Sequence, residues 1–345
     1  MTRIFHLNPT TRADKNTIAE PSDWNSGYEH CEDILDRLHF YESNQWVNPD
    51  DSDVANRIAN MVLEVVPYFQ NQANVDALRR ARTTPDAYQN TVMHIGQSHK
   101  AEVTLDDLLT LVPSKGRAAW LTDRLMESLV QLIARPYIPG LIWFCSDGLL
   151  QTCMAALNHM NETGVDPFDF EQMLHTNRLD DILPGREIPP DARGIVFFHN
   201  PTKSHWITVF AHVDPTTRLG TIEIFNSAGN LGEEHSRQSL QFLLHCLSYK
   251  SPNRLFRRAN WFANPVCSIA CPQQSSENID CGVFAVFSAI NLLGREYPDV
   301  TERNDDEERR THGLLLREHY MSELKEALDE TDIAIWTIAN RENYN

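Results

Sequence analysis

Apolar residues recur at helical spacing through most of the chain, and one stretch near the middle alternates instead. Apolar positions three or four residues apart share one face of a helix, so this spacing predicts helices with a buried side. The predicted helices lie within Tyr28–Arg82 and over Trp120–Ala134, Leu149–Met160, Ser236–Tyr249, Cys281–Leu293 and Glu302–Leu328. Near residue 103 a short strand is predicted to enter a helix capped by Thr104 or Asp106.

Residues 194 to 225 have the spacing of β-strands. Gly194–His199 is a short apolar run, and His205–Val213 alternates between the two faces of a strand. Residues 214–220 have turn composition, and Thr221–Phe225 alternates again. These elements predict a β-hairpin inside a sheet. The chain is therefore predicted to be α+β, with a central, mainly antiparallel sheet flanked by helices.

The same pattern divides the chain into two predicted regions. Residues 1–98 are expected to form an N-terminal helical region, and residues 1–30 to be a flexible start because they are polar and lack periodicity. Residues 99–345 contain the predicted strands and the remaining helices. The role of residues 1–98 stays open between holding a substrate, binding a targeting partner and supporting the second region.

Composition and charge exclude several classes of function. Hydrophobic residues make up 41% of the 345 residues, enough for a sizeable core, and the net charge is −18. So negative a chain is not expected to bind nucleic acid or an anionic membrane surface. The sequence shows neither an apolar signal core nor the roughly 20 apolar residues that span a bilayer. We expect a monomer inside the cell, either nuclear or cytoplasmic.

The cysteines are expected to be reduced thiols. There are seven, an odd number, without secretory features. Cys267 and Cys271 have the spacing of a metal-binding pair, but a second pair at zinc-site distance is missing from the sequence. We therefore expect neither a metal nor a cofactor.

Cys281 and His205 are the candidate nucleophile and general base. Cys281 opens an apolar predicted helix, whose N-terminus would stabilise a thiolate and lower the pKa of the thiol. Gly282 leaves the neighbouring backbone open to a substrate. His205 follows a turn and begins a predicted strand, which could hold its ring at a sheet edge. The alternatives are a structural cysteine in a core helix and a histidine in a surface turn.

Asn226 and two glutamines could complete a catalytic site. Asn226 ends the predicted return strand, so hairpin pairing would bring it near His205, whose ring it could orient by accepting a hydrogen bond. Gln273 and Gln274 precede Cys281 by eight and seven residues. A side-chain amide there could stabilise an oxyanion together with the Cys281 backbone N–H. The alternatives are a turn-initiating asparagine and solvated loop glutamines.

Taken in order, these residues resemble the Ulp/SENP-type cysteine proteases, which process SUMO and related ubiquitin-like proteins. The matching segments are Thr104–Leu108, Trp120–Met126, Gly194–Val213, Ile224–Ser227, Pro272–Gln274 and Asp280–Phe284. The resemblance covers roughly residues 100–330 and implies an adenain-like, papain-related cysteine-protease fold over residues 99–345. It also implies that Cys281, His205, Asn226 and Gln274 are catalytic.

The resemblance further implies a substrate-binding channel. Family members pass the Gly-Gly tail of the substrate between two tryptophans, and Trp120 and Trp206 match those positions. Flat aromatic walls admit a diglycine and exclude bulkier residues. Asp123, Gly282 and Gln273 lie in the matching segments and are assigned to substrate binding with them. The alternative is that both tryptophans are core residues.

Two features depart from the family pattern. Asn226 stands where the family usually has Asp, and an uncharged amide stabilises an imidazolium less than a carboxylate does. Asp214, in the turn, is the alternative acid. The loop from Gln274 to Cys281 is longer than the usual family spacing, so either Gln273 or Gln274 could be the oxyanion donor, and we favour Gln274.

The resemblance implies hydrolysis of the peptide or isopeptide bond that follows the C-terminal Gly-Gly of a ubiquitin-like protein. SUMO is the expected substrate. A deubiquitinase is the alternative, because a net charge of −18 suits the basic face of ubiquitin. The other classes are an acetyltransferase on the same type of fold and a non-catalytic binder of a ubiquitin-like protein.

Overall fold

The structure is a computed structural model of the chain. It describes residues 52–80, 92–95, 101–113, 120–134, 137–138, 142–145, 188–200, 205–228, 240–241, 243–244, 247–248, 251–261, 266–267, 271–275, 280–294 and 305–342. The helices are α1 (Ser52–Arg80), α2 (Leu105–Leu109), α3 (Asp123–Ile133), α4 (Arg254–Arg257), α5 (Cys281–Gly294) and α6 (Asp306–Glu342). The strands are β1 (Met93–Ile95), β2 (Ala101–Val103), β3 (Tyr137–Ile138), β4 (Ile142–Phe144), β5 (Gly194–His199), β6 (Ile207–Val213), β7 (Gly220–Phe225) and β8 (Val266–Cys267).

In the part of the chain that the structure describes, six strands form the main sheet, in the order β3-β4-β5-β6-β7-β8. The β4–β5 and β7–β8 pairs are parallel, and the other three are antiparallel. The predicted α+β class with a mainly antiparallel sheet is therefore confirmed. The predicted hairpin is its centre, where β6 and β7 pair from Thr208 with Phe225 to Val213 with Gly220.

The hairpin forms because one face of its strands is apolar and packs on helical residues. Opposing residues of an antiparallel pair point to the same face, and the buried face carries Val209 opposite Phe197 and Ile224. This face packs against buried side chains of the described helical residues in the 240–248 segment and of the chain around α4. They are Leu240, Leu243, Leu244, Leu247, Phe256 and Trp261.

Two side chains fix the chain around α4 against the sheet. Trp261 is fully buried, its Nε1 donates to Ser248 Oγ at 3.2 Å, and its ring occupies the space beside Gly220. A Cβ at Gly220 would lie 2.3 Å from the Trp261 ring, so only glycine fits there. Asn253 accepts the first amides of α4 and donates to the Pro189 carbonyl at 2.7 Å.

The chain folds into two compact units. One contains the described residues within 137–273 together with 287–294, and so the whole six-stranded sheet. The other contains the described residues within 52–134 together with 280–286 and 305–342, as well as 274 and 275. The division predicted between residues 98 and 99 stays a prediction.

The second unit is held together by helix caps and by side-chain bonds between distant helices. Thr104 caps α2 in a capping box with Asp107, which decides between the two predicted caps. Arg57 of α1 binds Glu318 of α6 through two nitrogens, at 2.5 and 3.1 Å.

Two predicted elements begin later than expected. The helix predicted from Trp120 begins at Asp123, because Thr122 caps it by accepting the Leu125 amide at 3.2 Å. The strand predicted from His205 begins at Ile207. The predicted helix Leu149–Met160 and the flexible start over residues 1–30 lie outside the described residues, and within them no helix has the length and apolarity needed to cross a membrane.

Candidate active site

The sheet unit brings His205 and Asn226 into contact. His205 lies two residues before β6 and Asn226 directly follows β7, so pairing of the strands carries both to the same end of the hairpin. His205 Nε2 and Asn226 Oδ1 are 2.7 Å apart. The Asn226 side chain is buried, whereas His205 and Trp206 are half-buried. The structure therefore has the pair geometry that the hairpin predicted.

The hydrogen bonds around Asn226 fix which ring nitrogen of His205 carries the proton. Asn226 Oδ1 also accepts the Ala228 backbone N–H at 3.0 Å. A backbone N–H always donates, so the Asn226 atom that faces it must be the carbonyl oxygen. The same oxygen faces His205 Nε2, which must then be the protonated nitrogen. Nδ1 of the neutral ring carries the lone pair and is the atom able to act as a base.

Burial lowers the pKa of His205 below its usual value of 6.5, and the hydrogen bond to Asn226 opposes this shift only in part. Desolvation disfavours the imidazolium, and an uncharged amide oxygen stabilises it less than a carboxylate would. His205 is therefore a neutral imidazole at neutral pH. A neutral imidazole with a fixed tautomer is competent to take a proton from a neighbouring thiol.

Gln273 holds the backbone of Asn226. Its Nε2 donates to the Asn226 carbonyl at 3.2 Å and to the Cys271 carbonyl at 3.0 Å. An amide nitrogen has two hydrogens, and these two bonds use both. The side chain of Gln273 is thus occupied in joining two segments of the sheet unit. Gln274 is half-buried in the other unit.

Asp214 is occupied in its own turn. Its Oδ1 accepts the backbone N–H groups of Thr217 at 2.9 Å and Thr216 at 2.7 Å, and these bonds lower the pKa of the exposed carboxyl group. Arg218 completes the turn with a φ of 60°. Asp214 also lies at the opposite end of β6 from His205. Asn226, and not Asp214, contacts the ring of His205.

The second unit contains Cys281, which begins α5. The Asp280 carbonyl accepts the Phe284 N–H at 3.0 Å, so the first helical turn starts at this residue. Cys281 is 4% exposed. Helix N-termini carry partial positive charge that stabilises a thiolate. The predicted position of Cys281 at a helix start therefore agrees with the structure, and its role as nucleophile stays a prediction.

Gly282 allows close packing between α5 and the chain at the start of α3. A Cβ at Gly282 would lie 3.1 Å from Leu121 Cβ and 3.3 Å from Met126 Sδ. These distances are tighter than ordinary contacts, so a larger residue would displace the neighbouring segment. That segment contains Trp120, which is half-buried.

The segment with Trp120 is fixed by a network of caps. Thr122 Oγ1 donates to Asp107 Oδ1 at 2.6 Å, and the Leu125 amide donates to Thr122. Asp123 is half-buried and its Oδ1 accepts the Arg124 backbone N–H at 2.8 Å. Trp120 and Trp206 belong to different units, and their role as channel walls stays a prediction.

Two residues near Cys281 were not found from the sequence. Arg317 of α6 forms a buried ion pair with Asp280, and Gly313 faces the same carboxylate. A sequence signal existed only for Gly313, since a glycine inside an otherwise regular helix often marks close packing. Within the described residues, no group of three or more His, Cys, Asp or Glu is arranged to hold a metal ion.

Comparisons with known proteins gave matches among solved structures only. No family model and no curated protein matches the sequence. The C-terminal Ulp1 protease domain in complex with Smt3, the yeast ortholog of SUMO, is 16% identical with a TM-score of 0.42, over 72% of this chain and 92% of that chain. The SUMO protease Ulp1 with its catalytic cysteine oxidised to a sulfenic acid is 15% identical with a TM-score of 0.41, over 82% and 97%. The catalytic domain of the Ulp1-like SUMO protease of Chaetomium thermophilum is 16% identical with a TM-score of 0.36, over 75% and 89%. A likeness this low assigns no function to the chain by itself.

Proposed function

We propose that the chain is a cysteine protease that cleaves the peptide or isopeptide bond after the C-terminal Gly-Gly of a ubiquitin-like protein. Cys281 is the nucleophile, His205 the general base and Asn226 the residue that orients the base. SUMO is the favoured substrate. Neither a metal nor a cofactor takes part in the reaction.

The observation that carries the proposal is the hydrogen bond between His205 Nε2 and Asn226 Oδ1. Because Ala228 fixes the Asn226 oxygen, the bond selects the one tautomer of His205 that leaves Nδ1 unprotonated. A histidine in a surface turn would not need a buried amide and a second backbone contact to hold its ring. Such an arrangement is typical of a base that must present a defined nitrogen to a nucleophile.

In the proposed reaction His205 Nδ1 takes the proton of the Cys281 thiol, and the thiolate attacks the carbonyl carbon of the terminal glycine. The tetrahedral intermediate collapses when the C–N bond breaks, and the leaving amine takes the proton from His205. Water then attacks the thioester and gives a proton to His205. The C–S bond breaks, the glycine carboxylate is released, and the Cys281 thiolate takes the proton back from His205. The balance needs only water.

The oxyanion of each intermediate is assigned to the Gln274 amide and the Cys281 backbone N–H. Gln273 is the weaker candidate, because both hydrogens of its amide already bind backbone carbonyls. We therefore propose Gln273 as the residue that holds Asn226 in place and move it from the substrate-binding set. Trp120 and Trp206 are proposed as the walls of a diglycine channel, with Asp123 and Gly282 at its margin.

The test is covalent labelling by SUMO, ubiquitin and other ubiquitin-like proteins that carry an electrophile at the C-terminal glycine. We expect one of them to label the wild-type chain and not Cys281→Ala. Cys145→Ala, which removes a different buried cysteine, is the matched control and should keep full labelling. Labelling by ubiquitin and not by SUMO would identify ubiquitin as the substrate and would leave the proposed reaction at Cys281 unchanged.

Two outcomes would contradict the proposal. Absence of labelling by the whole panel, together with acetyl transfer to a protein acceptor, would identify an acetyltransferase. Stable binding of a ubiquitin-like protein without labelling of Cys281 would identify a non-catalytic binder.

A further inference from the structure

A buried ion pair lies next to Cys281 in the second unit. Arg317 is 1% exposed, and Asp280, the residue that precedes Cys281, is 4% exposed. Arg317 Nε donates to Asp280 Oδ1 at 2.7 Å, and Nη2 lies 2.5 Å from the same oxygen. Arg317 Nη1 donates to the Thr110 carbonyl at 2.6 Å. The guanidinium therefore joins the start of α5 to the end of α2 from its position on α6.

Gly313 makes room for this pair. A Cβ at residue 313 would lie 2.3 Å from Asp280 Oδ2, closer than any real contact. Gly313 and Arg317 are four residues apart on α6, so they occupy the same helix face one turn apart. Arg317 binds the Asp280 carboxylate, and Gly313 leaves space for it. A glycine inside a helix weakens the helix, so a steric need at this position explains why alanine does not occupy it.

We propose that Arg317 is a positioning residue for the Cys281 nucleophile, and that Gly313 provides the clearance that the Asp280 carboxylate requires. The inference deepens the proposed function and rests on it. Asp280 provides the carbonyl that starts α5, so holding its side chain holds the first turn, where Cys281 lies.

The charges give a second reason for this role. A carboxylate directly before Cys281 opposes formation of a thiolate, because like charges raise the pKa of an acid. Arg317 compensates that charge in buried surroundings. Without it the negative charge of Asp280, directly beside the nucleophile, would lose the compensation that the guanidinium provides. A purely structural ion pair would affect stability alone, whereas a positioning residue also sets the reactivity of Cys281.

The experiment measures the rate at which iodoacetamide alkylates Cys281 as a function of pH, with the modified peptide identified by mass spectrometry. The variants are Gly313→Ala and, as matched control, Gly294→Ala on α5, whose added Cβ would meet no atom within 4 Å. We expect Gly313→Ala to raise the alkylation midpoint by about one pH unit and to slow the reaction at neutral pH about tenfold. Gly294→Ala should match the wild type.

Variants at the charged pair separate charge from shape. Arg317→Lys keeps the charge, so its alkylation profile should fall between those of the wild type and Arg317→Met. Asp280→Asn combined with Arg317→Met removes both charges and should return the midpoint toward the wild-type value. If Arg317→Met does not fold, Gly313→Ala and Arg317→Lys, checked by circular dichroism, carry the test.

A lower melting temperature for Gly313→Ala with an unchanged alkylation midpoint would overturn the proposal, since the pair would then be purely structural. The alkylation measurement uses no ubiquitin-like substrate, so it tests the role of Arg317 separately from the proposed protease activity. Altered alkylation without labelling by any ubiquitin-like probe would leave the effect on Cys281 standing and reject the protease. Labelling of the wild type with an unaltered alkylation profile would reject the positioning role alone.

Discussion

His199 should make the protein less stable as the pH falls below neutrality. It ends β5 with 7% exposure, and its Nε2 has no hydrogen-bond partner in the part of the chain that the structure describes. Burial lowers the pKa of His199 from 6.5 to about 4. The folded state therefore binds the proton more weakly than the unfolded chain, and protonation favours unfolding.

The magnitude follows from that difference in pKa. The contribution of neutral His199 to the free energy of unfolding is complete above pH 6.5, and it is lost progressively as the pH falls toward about 4. Each pH unit in this interval costs about 1.4 kcal/mol of unfolding free energy, so the whole interval costs roughly 3 kcal/mol. Between pH 7.5 and pH 5 the expected loss is roughly 2 kcal/mol.

Urea unfolding at pH 7.5 and pH 5 measures this loss in the wild type, His199→Leu and His199→Gln. Neither variant titrates here, so each should lose roughly 2 kcal/mol less than the wild type between the two pH values. His205 has a pKa shifted in the same direction, so only the difference between variant and wild type is assigned to His199. At pH 7.5 the free energy of unfolding of His199→Leu should equal or exceed that of His199→Gln, because leucine leaves no buried polar group unsatisfied.

Equal losses in all three proteins would refute the reasoning. His199 would then bind its proton equally well in the folded and unfolded states, and its burial would carry no electrostatic cost. A larger loss of unfolding free energy in the variants than in the wild type would mean that folding raises the pKa of His199, so that the folded state stabilises the imidazolium.

Two further predictions concern the proposed site. Asn226→Asp should keep labelling and raise the pKa of His205 in an NMR titration, because it adds a negative charge to the same acceptor. Asn226→Ala should slow labelling about 100-fold, and full activity of that variant would exclude the orienting role. Gln274→Ala should slow hydrolysis of a bond after the C-terminal Gly-Gly roughly 100- to 1,000-fold through loss of an oxyanion donor. Gln273→Ala should instead lower the free energy of unfolding by about 1 kcal/mol for each of its two hydrogen bonds, and equal loss of rate in both variants would contradict this division of roles.

The hairpin could be predicted from the sequence because its information is local. Alternation in Ile207–Val213 and Gly220–Phe225 defines the buried face, and the turn between them sets the register. Proximity of Asn226 to His205 follows from that register alone. The capping of α2 could be predicted for the same reason, since Thr104 and Asp107 are three residues apart.

The strands β4 and β8, on either side of β5–β7, could not be predicted, because their pairing is not local. β8 has two residues and pairs in parallel with β7, and β4 has three and pairs in parallel with β5. Strands that short give no periodic signal, and a parallel partner is reached only through a crossover connection of roughly a dozen or more residues. The ion pair between Asp280 and Arg317 was missed for a related reason, since it joins the residue before α5 to a residue of α6 that lies 37 positions away.

Both halves of the proposed site have buried polar groups whose charges are removed or compensated. In the sheet unit His205 is neutral and its partner is an amide, so the pair carries no formal charge. In the second unit the carboxylate of Asp280 is matched by Arg317. A buried charge without a partner is costly, and breaking such a pair on one side is strongly destabilising. An Asn rather than an Asp at position 226 therefore reduces the cost of burying the base, and it also reduces the stabilisation of an imidazolium. The proposed enzyme should accordingly begin its reaction from a neutral thiol and imidazole, with Arg317 lowering the cost of the thiolate that forms when the proton moves.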